Sequence, residues 1–297
     1  MQKVPLGKTG LNVSPVAYAA IVSMNEAQAD SDAYVALAVS AGVNYFDVAP
    51  SYGDAEVVMG KSLRPYRKDV YLACKTAQRT RALAEKELRN SLKVLHTDWF
   101  DVYQLHAMTT PDDVEQAFGP DGVMELLVKM RQEGVIRHIG FSAHSERAAM
   151  ECLERYPFDT VMYPLNWMLH KGQGIGEDVR KAKEERGFGL IGLKALIERA
   201  WEDDAEKGES PWPKSWCKPF DAKETDLRLA GMKYALDLGV DILVPPGNWE
   251  CQRFMMEHAD ECLANPLSET ERTLLDSRMQ AVGDKPFFRK DNGGWEG

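Results

Sequence analysis

The chain has 297 residues, 44% of them hydrophobic and 28% charged, which suffices to bury a large core without disulfides and fits one α/β barrel spanning 1–297. A formal net charge of −10 and a pI near 5.2 speak against a general nucleic-acid binder or a protein of anionic membrane surfaces. Five cysteines, an odd number with no C-x-x-C pair, speak against a disulfide framework or a cysteine zinc site and predict reduced thiols.

In chain order, KVPLG and the turn at KTG read as a short N-terminal hairpin. Apolar runs at 16–22, 43–48, 69–74, 99–105, 135–142, 159–165, 187–193 and 240–245 read as eight strands. Amphipathic stretches at 31–41, 54–63, 83–96, 121–133, 145–155, 174–186, 222–238 and 248–260 read as the helices between and after them. Strict β-α alternation predicts a parallel sheet, and eight such units close into a (β/α)₈ barrel, a TIM barrel with long loops on its C-terminal face. Residues 201–221, rich in Trp, Pro and charge, are predicted to be such a loop, and the tail KPFFRKDNGGWEG reads as irregular. The N-terminus has no apolar leader and no run approaches 18 apolar residues. A cytoplasmic protein that neither spans nor binds a membrane is therefore expected. His138, His144 and His170 are scattered, with no H-x-H or H-E-x-x-H, so no metal is expected.

Function in such a barrel lies where strands end. The second run ends in Asp47, with Tyr52 five residues on; the third reaches Lys75 and the fourth His106. An acid, a phenol, an amine and an imidazole thus converge from three successive strands. Reduction of an aldehyde or ketone builds negative charge on oxygen, which a positioned proton donor must meet. Tyr52 is the expected donor, Lys75 the cation that lowers its pKa, Asp47 the partner of Lys75, and His106 the group that orients the carbonyl. Trp167, Trp212, Trp216 and Trp249 lie in or beside the mouth loops and suit a small-molecule carbonyl substrate. Oligomeric state is not encoded in any visible pattern.

The segments LGKTGLNVSPVAYA, GVNYFDVAPSYGDAEVVMGKSL, VYLACKT, LKVLHTDWFDVYQLH and VIRHIGFSAH resemble the aldo-keto reductase superfamily over essentially the whole chain. The resemblance implies NAD(P)H-dependent reduction, with Tyr52, Asp47, Lys75 and His106 as the catalytic set. The implied cofactor is NADPH, with NADH possible, bound extended without a Rossmann domain. For the cofactor the resemblance points to Ser142 and Asn166 near the carboxamide, Leu193 at the ring-stacking position, Gly247 and Asn248 after the eighth strand, and Arg253 for a 2′-phosphate. The sequence departs from the family pattern at Ala143, Met162 and Leu193, where Asn, Gln and Tyr are usual. Those departures motivate an alternative: a cofactor-sensing or regulatory barrel with weak or no turnover.

Overall fold

The computed structural model describes residues 1–283, 285, 288–289 and 294–295. Eight parallel strands carry the fold: β1 Tyr18–Ala19, β2 Tyr45–Asp47, β3 Tyr71–Thr76, β4 Phe100–Met108, β5 Ile136–Ala143, β6 Thr160–Pro164, β7 Gly189–Leu193 and β8 Ile242–Val244. They pair in sequence order. The seam closes through a parallel bridge from Val16 to Leu243, with Ala17 N–H on Leu243 O at 3.0 Å and Leu243 N–H on Pro15 O at 2.8 Å. The expected (β/α)₈ barrel is therefore the observed architecture. Nearly every strand residue is buried, because neighbouring helices cover one side and the barrel interior the other.

The eight connecting helices are Gln28–Ser40, Ala55–Leu63, Arg81–Val94, Val123–Gln132, Glu146–Arg155, Glu177–Arg186, Thr225–Asp237 and Trp249–Ala264. Each overlaps its expected span. The first strand is shorter than the apolar run 16–22 predicts, because Ala20–Ser23 turns into a 3₁₀ helix. Periodicity cannot separate these two conformations in a run that is buried throughout.

Among the described residues, four further helices were not expected: Pro111–Phe118, Trp167–Gln173, Asp204–Glu209 and Glu269–Val282. Two of them start at capping boxes, Thr110 with Asp113 and Ser268 with Glu271, in which side chain and backbone satisfy each other. In the tail, Phe288–Arg289 pairs antiparallel with Gly294–Trp295; the rest of the segment read as irregular lies largely outside the described residues.

The N-terminal hairpin pairs Val4–Pro5 with Asn12–Val13 and plugs the barrel floor. Leu6, fully buried, lies over Gly189 at the start of β7. Gly7 has φ +49°, and a Cβ there would stand 2.3 Å from the Gly189 nitrogen, so both the turn and the close approach require glycine.

The segment read as a long loop is partly ordered by pairing: Ile197–Arg199 meets Lys218–Pro219. Between them, residues 210–217 cross the barrel mouth as a strap. Trp201 Nε1 donates to Ser215 O at 3.0 Å, Trp212 Nε1 to Glu250 Oε2 at 3.2 Å, and Lys214 Nζ to Val22 O at 3.0 Å and to Glu26. Glu250 is itself held by the buried Arg228 through bonds of 2.6 and 3.1 Å. Among the described residues, no helix is long and apolar enough to cross a membrane, and no three His, Cys, Asp or Glu side chains are grouped to hold a metal.

Candidate active site

Strand register explains how three of the four expected groups meet. Asp47 lies opposite Ala73 on β3, two residues before Lys75. Lys75 lies opposite Gln104 on β4, two residues before His106. Residues two apart on a strand face the same way, so Asp47, Lys75 and His106 climb the barrel interior like a stair. Tyr52 arrives from the loop after β2, where its N–H bonds Ala49 O at 3.1 Å.

Lys75 is fully buried and ion-paired to Asp47 Oδ1, with a second bond to Val48 O at 3.3 Å. Its ammonium stands 5.1 Å from the centroid of the Tyr52 ring. The rings of Tyr52 and His106 meet edge to face at 5.8 Å. His106 Nδ1 lies 3.4 Å from Ser51 Oγ.

The end of β4 is bent to bring this about. Its register with β5 shifts between Leu105 and Met108, and Ala107 adopts φ +54°. A bulge of this kind re-aims a side chain at the price of local strain. Arg79 holds the bend by donating to His106 O at 2.8 Å and Ala107 O at 3.0 Å, while Asp113 steadies the guanidinium at 2.9 Å. Sequence reading did not single out Arg79. Its signal is a cation four residues after Lys75, too common to be informative alone.

Burial dominates the electrostatics. It pushes the Tyr52 phenol above its ordinary pKa near 10; the Lys75 charge pulls the other way without winning. This corrects the expectation that Lys75 lowers the phenol overall: the phenol is protonated through the neutral range. Burial likewise raises the Asp47 carboxyl, against the pull of Lys75. Burial opposes the charge on Lys75, but Asp47 and then Tyr52 hold its pKa above the usual lysine value. His106 is driven well below its ordinary value, by burial first and then by Lys75, His144 and Arg79, so its imidazole is neutral.

A groove of about 60 Å³ runs from Asp47 and Tyr52 to the end of β8. Tyr52, Leu193 and Gly247 line it, as does Trp216, expected beside the mouth, and so do Lys194 and Lys214, which sequence reading did not assign to the site. His144 also lines it; burial and then the Lys194 charge lower its pKa to about 3. His144 follows directly on the Ser142-Ala143 pair, and Lys194 on Leu193, so adjacency in sequence was the available signal.

The remaining expected cofactor residues are placed differently. The Ser142 hydroxyl accepts the Ala107 N–H at 2.8 Å and supports the β4 bend. Asn166 is turned away from the groove: it donates to Lys194 O at 3.1 Å and Ile197 O at 2.9 Å, and caps the helix Trp167–Gln173 by accepting from Leu169 N at 3.0 Å. Asn248 is the N-cap residue of Trp249–Ala264, yet its side chain makes no cap, and its Nδ2 is buried without a hydrogen-bond partner just beyond Gly247. Arg253 is 60% exposed one turn into that helix, 3.6 Å from Glu257. The neighbouring Gln252 is fully buried and ties the helix to β1, accepting from Ala19 N at 3.1 Å and donating to Ala17 O at 3.0 Å. Arg253 thus faces outward and Gln252 inward.

The apolar wall at Leu193 and the unsatisfied Asn248 amide just beyond Gly247 suit the two ends of an extended dinucleotide, while the Lys214 ammonium is already held by Glu26 and Val22 O.

Comparison with known proteins identifies the family and the fold. Residues 19–241 match the model of the aldo/keto reductase family. Among curated proteins, the uncharacterized oxidoreductase YqkF of Bacillus subtilis is 27% identical over 176 residues, 54% of this chain and 55% of that protein. L-galactose dehydrogenase of Arabidopsis thaliana is 30% identical over 215 residues, 64% of each. The chain spans about half the length of the curated relatives it matches. Among solved structures, the holo form of aldo-keto reductase AKR11C1 from Bacillus halodurans shares the fold, with a TM-score of 0.71 and 21% identity over 94% of this chain and 96% of that one.

Proposed function

This chain belongs to the aldo/keto reductase family, and we propose that it is an oxidoreductase that reduces the carbonyl of a small aldehyde or ketone to the alcohol, with Tyr52 giving the proton to oxygen. The observation that carries this reading is one cluster: Lys75 paired to Asp47, 5.1 Å from the Tyr52 ring, with His106 against that ring's edge.

Each group has a separate task. Tyr52 holds its proton until negative charge grows on the substrate oxygen. The buried Lys75 ammonium then stabilises the phenolate that remains, so the phenol becomes a stronger acid as the reaction proceeds. Asp47 keeps Lys75 charged and fixed. His106, neutral, orients the carbonyl by hydrogen bonding instead of competing as the acid. Arg79 and Ser142 position His106 through the β4 bend. Leu193, Gly247 and Asn248 are the residues we assign to holding the nicotinamide dinucleotide, with the Ser142 and Asn166 side chains shaping the groove from behind. When bound in its reduced form, that cofactor supplies the hydride.

We assign NADPH as the cofactor, with NADH as the weaker ligand, because Arg253 leaves an exposed planar fork beyond the groove's far end. Titration followed by tryptophan fluorescence tests this. Both forms are expected to quench, NADPH at the lower concentration, and Arg253→Ala is expected to erase the difference. Absence of quenching by either form would put a regulatory barrel that binds no dinucleotide ahead of the reductase.

A further inference from the structure

The turn that delivers Tyr52 brings a second side chain to His106. Tyr52 N–H closes on Ala49 O at 3.1 Å, three residues back, so residues 49–52 form a β-turn with Pro50 and Ser51 at its centre. Proline at the first central position fixes the backbone there, so Ser51 and Tyr52 leave the turn in set directions. Both reach the same imidazole: the Tyr52 ring meets it edge to face at 5.8 Å, and the Ser51 hydroxyl lies 3.4 Å from its Nδ1. Hydrogen bonds in catalytic sites are commonly this long before the reactant binds.

Ser51 has no task in the proton-transfer scheme, yet it meets the atom on which the role of His106 depends. The imidazole is neutral, so one nitrogen carries a proton and donates while the other accepts. Orienting a carbonyl oxygen takes a donor. With Nδ1 against Ser51, the nitrogen left for the carbonyl is Nε2, and it must hold the proton. Arg79 and Ser142 act on the backbone, at His106 O, Ala107 O and the Ala107 N–H. They fix where the ring stands, not which nitrogen is protonated. The hydrogen bond at the other nitrogen decides that, and a hydroxyl donating to Nδ1 holds the proton on Nε2.

We propose that Ser51 is a positioning residue that sets the tautomer of His106: its hydroxyl donates to Nδ1, which keeps the ring proton on Nε2 for a hydrogen bond to the carbonyl oxygen. The use made of that proton rests on the reductase reading; the tautomer is a property of the free protein and stands on the geometry of the turn.

Proton–nitrogen correlation spectra of the histidine rings of the full chain read the tautomer directly, and comparison with His106→Gln identifies the His106 signals. In the wild type the proton is expected on Nε2. Ser51→Ala is expected to give a mixture of both tautomers, and Ser51→Thr, which keeps the hydroxyl, to return the single form. In assays of carbonyl reduction, Ser51→Ala is expected to lower kcat about fivefold, the net worth of one neutral hydrogen bond, with the KM of the dinucleotide unchanged and the rate recovered in Ser51→Thr. Ser51 is exposed, so loss of packing in the Ala variant would not move the ring proton. A proton on Nδ1 in the wild type, or an Ala variant that keeps the tautomer or the rate of an active wild type, would overturn the proposal. The expected shift of tautomer in a protein that reduces no carbonyl would count against the reductase reading alone and leave the Ser51 assignment in place.

Discussion

Tyr52→Phe is expected to lower carbonyl turnover by about 10²–10⁴, the range over which a positioned proton donor acts, while dinucleotide affinity changes by no more than about twofold. The phenyl ring keeps the contacts with His106 and Trp216 at 5.8 Å, so the groove wall is preserved and only the hydroxyl is lost. Steady-state kinetics with fluorescence titration separates the two effects. The pH profile follows from the same cause. Reduction needs the phenol protonated, and burial raises its pKa above the ordinary value near 10. The rate is therefore expected to stay level through neutral pH and to fall only in the alkaline range. A fall already near pH 7 would mean that another group supplies the proton.

Lys75→Met is expected to abolish turnover and to cost about 3–5 kcal/mol of stability, the cost of leaving a buried charge without its partner. Asp47 is nearly fully buried, and its other oxygen, Oδ2, has no hydrogen-bond partner, so it has no second cation or donor to fall back on. The carboxyl then remains buried only by taking up a proton. Its folded pKa is already raised by burial even with Lys75 present, so the sign is fixed. The native variant holds that proton more tightly than the unfolded chain does. The stability this one carboxyl contributes is fully present below its unfolded value and is lost as the pH rises through the folded-state value. Adding Asp47→Asn removes the stranded charge and is expected to recover most of the stability but none of the turnover. Thermal melts across pH, with assays of the single and double variants, check both halves.

Much of the fold was legible because barrel strands are buried on both sides and appear as apolar runs. The strand-end groups were legible because Asp47, Lys75 and His106 close those runs. What escaped depended on choices that periodicity does not encode. Ala20–Ser23 is apolar whether extended or 3₁₀. The helix Glu269–Val282 announced itself only through the capping box at Ser268 and Glu271. Asn166 was a reasonable cofactor candidate by position, yet the left-handed turn at Lys194 claims both of its amide hydrogens. Arg79 matters because β4 bulges at Ala107, and a bulge leaves little trace in a single sequence. The direction of the Tyr52 shift was missed for a quantitative reason: burial and the Lys75 charge oppose each other, and only the folded structure shows that burial is the larger.

The most direct test of the central claim follows one atom. The protein is incubated with NADPH, and separately NADH, deuterated at the transferable position of the nicotinamide ring, together with a panel of small aldehydes and ketones. The products are then read by mass spectrometry. The account predicts an alcohol with deuterium on the former carbonyl carbon, formed about 10²–10⁴-fold more slowly when Tyr52→Phe replaces the wild type. Unlabelled alcohol, or no alcohol from any carbonyl with either cofactor, would contradict it.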